Sequence, residues 1–200
     1  MKKLMFSLCC LFCLTLPHAG TAQAAELTAS DVQAIQKAAE KGDSEAQYDL
    51  ANMYLRGEGV SKDDVVALQW LKKSAAQGYI EAQYLLGRLY REGEYVQQDF
   101  CSAVEWYRKA AEKGHTEAQH NLAARYYQGQ CVPKDATAAA KWLHKAADNG
   151  HLDSLHILGW NYLNGDGVIK DQQKGCDMLR LAAEQWHKGA IKVYNELCAK

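Results

Sequence analysis

The stretch AQYDLANMYLRGEGVSKDDVVALQWLKKSAAQGYIE, residues 46–81, is the first of four head-to-tail copies of one pattern. The full units are residues 46–81, 82–117, 118–153 and 154–189, and residues 30–45 and 190–200 each match half a unit. A fixed period of this length is the signature of a solenoid, in which each unit buries its apolar face only against its neighbours. The sequence therefore predicts an all-α solenoid of stacked antiparallel helix pairs, with about ten helices.

The spacing within the first unit predicts a helix pair, A and B. Ala46, Leu50 and Tyr54 share one stripe of helix A. Gly57 follows its last turn, where a left-handed residue ends a helix at low cost. Asp63 then offers an N-cap oxygen to helix B. The recurring tryptophans of helix B are predicted to fill the core: Trp70, Trp106 and Trp142.

The fourth unit departs from this pattern at the end of helix B. Trp186 stands where the earlier units have glycine, at positions 78, 114 and 150. A non-glycine residue there costs about 1 kcal/mol if the turn stays left-handed. A turn of different shape is the alternative.

The first 24 residues have the pattern of a secretory signal peptide. Lys2 and Lys3 precede a mostly apolar stretch from Leu4 to Leu16, and Ala22-Gln23-Ala24 fits the small-x-small cleavage pattern. The apolar stretch is shorter than the ~20 residues of a membrane span, and an uncleaved anchor helix is the alternative. Residues 25–200 are then one repeat domain, which we expect in the periplasm or secreted, with no membrane insertion after cleavage.

The charge of the chain argues against one class of partner. Removing Lys2 and Lys3 with the signal changes the formal net charge from -1 to -3. Nucleic acids and anionic membrane surfaces favour basic proteins. We therefore expect no nucleic-acid partner.

Residues 32–198 follow the pattern A-x-x-x-L-[GA]-x-x-Y-x-x-G-x-x-V-x-x-D-x-x-x-A-x-x-W-[LY]-x-x-[AS]-A-x-x-G. This pattern resembles the Sel-one-like repeat, a relative of the tetratricopeptide repeat. The resemblance implies a right-handed superhelix of paired helices that acts as an adaptor in protein complexes. Some cysteine-rich members are described as binding or hydrolysing penicillin-type compounds, and others look like periplasmic immunity proteins. The cysteine-rich members carry a cysteine in each helix of every repeat, which this chain does not.

Four cysteines follow the predicted signal, and three pairings are possible. Helix B of one unit packs antiparallel against helix A of the next, so the start of B lies near the end of the following A. This arrangement predicts the disulfides Cys101–Cys131 and Cys176–Cys198, each adding about 3–4 kcal/mol in the loop-entropy model. Free buried thiols are the alternative.

The resemblance also implies which face binds a partner. Helix A lines the concave side of tetratricopeptide-like arrays, and side chains that differ between copies there are free to contact a ligand. The predicted partner-binding residues are Tyr84, Arg88, Arg91, Tyr127, His156 and Trp160. The alternative is that they are ordinary exposed or half-packed residues. An acidic residue precedes each helix A, where it complements the helix dipole or steers a basic partner: Glu45, Glu81, Glu117 and Asp153.

The histidines do not predict a metal site. His120 and His156 share a repeat offset, as do His115 and His151, and equivalent positions in stacked units lie about 10 Å apart. Zinc ligands must each approach the ion to about 2 Å. Serine acylation motifs such as Ser-x-x-Lys and Gly-x-Ser-x-Gly are absent from the sequence. We therefore predict no metal, cofactor or catalytic residue.

The predicted function is that of a non-enzymatic adaptor that binds a protein or peptide on its concave face. A sharper form is an immunity or envelope-complex subunit that masks one partner. The alternative of another class is a penicillin-binding or β-lactamase-like hydrolase, and a stress-related envelope protein with several weak partners is a third. The sequence predicts neither the partner nor the oligomeric state.

Overall fold

The computed structural model describes residues 28–199, which form ten α-helices and contain no strand. The helices are α1 (Ala29–Glu40), α2 (Ser44–Arg56), α3 (Asp64–Gln77), α4 (Ile80–Glu92), α5 (Phe100–Glu112), α6 (Thr116–Gln128), α7 (Ala136–Asp148), α8 (Leu152–Asn164), α9 (Gln172–Glu184) and α10 (Lys188–Leu197). The prediction of an all-α solenoid is confirmed. The predicted signal peptide, residues 1–24, lies outside the described residues.

Even-numbered helices correspond to helix A of the repeat and odd-numbered helices to helix B. Each helix packs mainly against the helices before and after it in the chain. The core is therefore a row of clusters along the solenoid. One leucine per A helix lies at its centre, fully or almost fully buried: Leu50, Leu86, Leu122 and Leu158.

The helix boundaries follow the recurring caps of the repeat. The Asp63 carboxylate accepts hydrogen bonds from the backbone N–H groups of Val65 and Val66, both at 3.0 Å. Gly57 ends α2 in the left-handed conformation, with φ at 71°. Trp186 also has a left-handed φ, of 64°, so the turn after α9 keeps the shape of the glycine turns. The strain anticipated for a non-glycine residue is therefore present at Trp186.

A buried glutamine links each of the first three A helices to the preceding B helix. Its side-chain Nε2 donates to a carbonyl in the last turn of that helix, where backbone acceptors lack intrahelical partners. The bonds are Gln47 to Ala39, Gln83 to Ala75 and Gln119 to Ala111, at 3.0–3.1 Å. Leu155 stands at this position in the fourth unit.

The recurring tryptophans are half-buried, so the prediction that they fill the core is only partly right. Each packs against the buried clusters on one side. The ammonium group of the lysine three residues after each tryptophan lies 4.0–4.1 Å from the centroid of the tryptophan ring. The pairs are Trp70 with Lys73, Trp106 with Lys109 and Trp142 with Lys145. A cation–π contact at such an edge contributes about 0.5–1 kcal/mol.

Two disulfides join consecutive helical layers. Cys101, at the start of α5, pairs with Cys131 in the turn after α6, and their Cα atoms are 5.1 Å apart. Cys176 of α9 pairs with Cys198 at the end of α10, with a Cα separation of 5.6 Å. This is the pairing that the antiparallel packing of B against the next A predicts.

Candidate functional site

Four repeat offsets of α2, α4, α6 and α8 form one surface, named here the helix A face. Its side chains are Tyr48, Asn52, Leu55 and Arg56; Tyr84, Arg88, Arg91 and Glu92; His120, Ala124, Tyr127 and Gln128; and His156, Trp160, Leu163 and Asn164. None of these side chains is fully buried. The surface that the sequence predicts to bind a partner is therefore at least partly exposed to solvent.

Aromatic pairs run along the N-terminal part of the helix A face. The first residue of each set packs against the N-cap residue of the next A helix. The pairs and their centroid distances are Tyr48–Tyr79 at 5.2 Å, Tyr84–His115 at 4.2 Å, His120–His151 at 4.4 Å and His156–His187 at 4.9 Å. Part of the Tyr84 ring and part of the His156 ring therefore pack against the neighbouring unit and cannot contact a partner. This is the half-packed arrangement given above as the alternative to a binding role.

Three of these histidines have a second structural role as helix caps. Nδ1 of His115, His151 and His187 accepts the backbone N–H of the third residue of α6, α8 and α10, at 3.0–3.3 Å. An accepting Nδ1 requires a neutral imidazole. The metal-ligand interpretation of His115 and His151 misses this capping role. Their position one residue before each A helix was the signal for a cap.

Burial acts against protonation of several histidines. It lowers the pKa of His115, against the opposing effect of Glu117, whose Oε2 lies 3.4 Å from Nδ1. Burial also lowers the pKa of His120 and of His156. A hydrogen bond of 2.8 Å from His187 lowers the pKa of the Asp153 carboxyl.

A groove of about 450 Å³ crosses α2 and α4 and reaches the start of α6. Tyr84 and Arg88, two of the predicted binding residues, both line it. Arg56 and Arg88 lie near the C-terminal ends of their helices, whereas Glu81 and Glu117 lie near the N-terminal ends of theirs. The two rims of the groove therefore carry opposite charges.

Arg88 and Arg91 of α4 share one carboxylate. Nη2 of Arg91 donates to Oε1 of Glu92, and Nε of Arg88 lies 3.7 Å from Oε2. Nη1 of Arg91 also donates to Oδ1 of Asn121 in the next A helix, at 3.1 Å. Arg91 is thereby held across the junction of the second and third units.

Two polar residues stand at core offsets of this junction. Tyr107 is completely buried, and its hydroxyl has no hydrogen-bond partner among residues 28–199. Burial raises the pKa of Tyr107 to about 12, against the opposing charges of Arg91 and Arg125. Arg125 is half-buried where α2, α4 and α8 have the buried Met53, Leu89 and Asn161. Burial, followed by the positive charge of Arg91, lowers the pKa of Arg125.

The other three predicted binding residues lie on α6 and α8. The Tyr127 hydroxyl accepts a hydrogen bond from the Asn161 side chain. Trp160 is 48% exposed, whereas the other five predicted residues are half-buried. The structure thus places Tyr84, Arg88 and Arg91 together on α4 and the remaining three one and two units further along.

Neither a metal site nor a membrane span is present in the described part of the chain. Across residues 28–199 no three His, Cys, Asp or Glu side chains converge in a way that could hold a metal ion. The same range contains no helix with the length and apolar character needed to cross a bilayer.

Four segments of the chain match the model of the Sel1 repeat family: residues 44–79, 80–115, 116–151 and 152–185. These units begin two residues before the predicted ones. A comparison with curated proteins found no match.

Solved structures of bacterial proteins have the same fold. A Sel1 repeat protein from Oxalobacter formigenes is 36% identical, with a TM-score of 0.78 over 84% of this chain and 49% of that one. A protective antigen of uropathogenic Escherichia coli strains with an SLR fold is 38% identical, with a TM-score of 0.72 over 77% of this chain and 33% of that one. Cysteine rich protein B of Helicobacter pylori, at 22% identity and a TM-score of 0.51, covers 66% of this chain and 95% of its own, and is similar in fold alone. The chain therefore spans about a third to a half of the length of its two more similar relatives.

Proposed function

The chain belongs to the Sel1 repeat family, whose members are generally protein-interaction modules, and we propose that it is an exported adaptor that binds a protein or peptide segment along the helix A face. An immunity or envelope-complex subunit that masks one partner is the sharper form of this proposal. The proposed binding residues are Tyr84, Arg88, Arg91, Tyr127, His156 and Trp160.

The proposal rests on a contrast between two positions of helix A that lie two residues apart. The core offset is leucine in all four units. The offset two residues later is Asn52, Arg88, Ala124 and Trp160. A position that packs the same way in every unit favours the same residue, whereas a side chain that varies on an exposed surface is free to fit a partner.

Export is supported by the cysteines. Two disulfides are typical of proteins that fold in an oxidising compartment. Together with the signal pattern in residues 1–24, they favour the periplasm or the extracellular space. The mature chain would have no membrane insertion, and its oligomeric state is left open.

The experiment that tests this proposal compares capture by variants. Immobilised wild-type protein, Arg88→Glu and Trp160→Ala are each incubated with envelope extract of the source cells. Arg180→Glu, on the exposed side of α9, is the matched control. We expect a protein that is retained by wild type and control and lost from both helix A face variants. Retention of every bound protein by both variants would contradict the proposal, and sustained nitrocefin hydrolysis by the pure protein would favour the hydrolase alternative.

A further inference from the structure

The junction of the second and third units contains an arginine cluster, defined as Arg88, Arg91 and Arg125. Resting on the proposed function, we infer that the partner presents a carboxylate side chain to this cluster. The inference names the chemistry of the partner: a protein segment with an aspartate or glutamate that reaches the C-terminal rim of the helix A face.

The cluster has more positive charge than its surroundings neutralise. Its three guanidinium groups have one carboxylate in contact, that of Glu92. Glu117, at the start of α6, contacts His115. Arg91 hydrogen-bonds to Asn121, and Arg125 lies one turn further along α6, so both arginines belong to the same junction. An added carboxylate would balance charge that the described residues leave uncompensated.

Some hydrogen-bond donors of the cluster are also unused, although Nη1 of Arg125 donates to the Gln130 side chain and Arg91 donates to Glu92 and Asn121. Nε of Arg88 lies 3.7 Å from Glu92, too far for a hydrogen bond. Nε of Arg88 and of Arg125 are buried without a hydrogen-bond partner in the described chain, and so is the hydroxyl of Tyr107. A buried donor without a partner costs about 1–3 kcal/mol. Because Nε of Arg88 is buried while its side chain is 43% exposed, a partner carboxylate would contact the exposed end of the guanidinium group.

One core position beside the cluster, that of Tyr107, departs from the apolar pattern of the repeat. The other three full units have leucine at the position of Tyr107: Leu71, Leu143 and Leu179. Buried ionic groups are often no more stabilising than apolar residues of similar volume. Departures from the packing pattern therefore point to function, since real proteins break such rules mainly at functional sites.

A carboxylate fits this cluster better than other acceptors. The planar guanidinium group presents paired N–H donors that match the two oxygens of a carboxylate. Arg91 is 32% exposed and Arg88 is 43% exposed, so both are within reach of a partner. The opposite rim, with Glu81 and Glu117, repels an acidic side chain, which fixes the orientation of the bound segment.

The test uses a random-peptide display library selected on the full, disulfide-intact protein. We expect the enriched peptides to share an aspartate or glutamate. A synthetic version of one peptide is titrated by fluorescence polarisation beside its Glu→Gln or Asp→Asn form. On wild type the amide form should bind about tenfold more weakly, or about 1.4 kcal/mol. On Arg91→Gln, and on Arg88→Gln as a second variant, the two forms should bind alike.

The matched control is Arg180→Gln. Arg180 of α9 pairs with a glutamate four residues later, as Arg88 does, but lies outside the cluster. This variant should keep the tenfold difference. Thermal unfolding followed by circular dichroism checks that each variant is folded.

The outcomes separate this inference from the proposed function. Peptides that lose affinity with Trp160→Ala yet show no difference between acid and amide forms overturn the carboxylate inference and leave the adaptor proposal standing. A selection that enriches no peptide overturns both. Peptides that bind every helix A face variant as tightly as wild type also overturn both.

Discussion

The Tyr84 ring stacks on the His115 imidazole, with centroids 4.2 Å apart and an interplanar angle of 23°. Tyr84 lines the groove across α2 and α4, and His115 caps α6. A side chain on the proposed binding surface therefore supports the start of the next A helix. A partner that packs against Tyr84 would therefore also stabilise the junction between two units.

Stability should fall in mild acid because of the histidines. Burial lowers the pKa of His115, His120 and His156 in the folded state, so the unfolded chain binds protons more readily below the ordinary value of 6.5. Stability is thus full above about pH 6.5 and decreases as the pH falls below it. Asp153, whose pKa is lowered from 3.8, adds a further loss only in stronger acid. Urea unfolding measured at several pH values checks this.

His115→Asn is the informative variant for this pH dependence. Asparagine is a good N-cap that does not titrate. The variant keeps a cap but loses the stack on Tyr84, so it should be somewhat less stable at neutral pH and should lose less stability in acid than wild type. An unchanged acid loss would show that His115 does not contribute to it.

Trp186→Gly should stabilise the protein. Trp186 has a φ of 64° and is 85% exposed, so replacing it relieves left-handed strain and gives up little burial. We expect the free energy of unfolding to rise by about 1 kcal/mol. Trp186→Ala keeps the Cβ atom and should show no such gain. Equal effects of the two substitutions in chemical denaturation would contradict the strain explanation.

Gln119→Leu should destabilise the protein by about 1 kcal/mol, because it removes the side-chain hydrogen bond to the Ala111 carbonyl, which then keeps only backbone N–H donors. Gln128→Leu changes an exposed glutamine of the same helix and is the control. The fourth unit has Leu155 at the equivalent position, so the same fold tolerates leucine there. If both variants unfold at the denaturant concentration of wild type, the buried glutamine contributes nothing.

Tyr107→Phe should separate stability from binding. It removes a buried hydroxyl without a partner and should raise the free energy of unfolding by about 1 kcal/mol. Binding of acidic peptides should be unchanged, because the completely buried hydroxyl cannot contact a bound peptide. Thermal unfolding and peptide titration of one preparation measure both. A less stable variant would show that the hydroxyl has a partner in the free protein.

Features that recur in every unit could be predicted from the sequence. Asp63 and Gly57 mark helix ends through local hydrogen bonding and backbone conformation, which depend on few neighbours. The disulfide Cys101–Cys131 follows from the antiparallel packing of adjacent helices. Repetition supported the prediction of the caps, because Asp63 and Gly57 each recur in all four units.

Features that depend on contacts between units could not be predicted. The stacking of Tyr84 on His115 requires the relative rotation of two A helices, which periodicity does not give. Tyr107 and Arg125 occupy offsets that periodicity assigns to the core, so only comparison of the copies would have revealed them. The half-burial of Trp70 shows that apolar periodicity predicts which side of a helix faces the core. It does not predict how deeply each side chain on that side is buried.

The central claim is that the varied side chains of the helix A face bind the partner. The most direct measurement is the dissociation constant of one captured partner for wild type, Trp160→Ala and Leu181→Ala. Trp160 and Leu181 are similarly exposed, at 48% and 44%, but Leu181 lies on a B helix. The account predicts an affinity loss of about tenfold or more for Trp160→Ala, in the range of binding hot spots, and none for Leu181→Ala. Unchanged affinity for Trp160→Ala together with a loss for Leu181→Ala would contradict it.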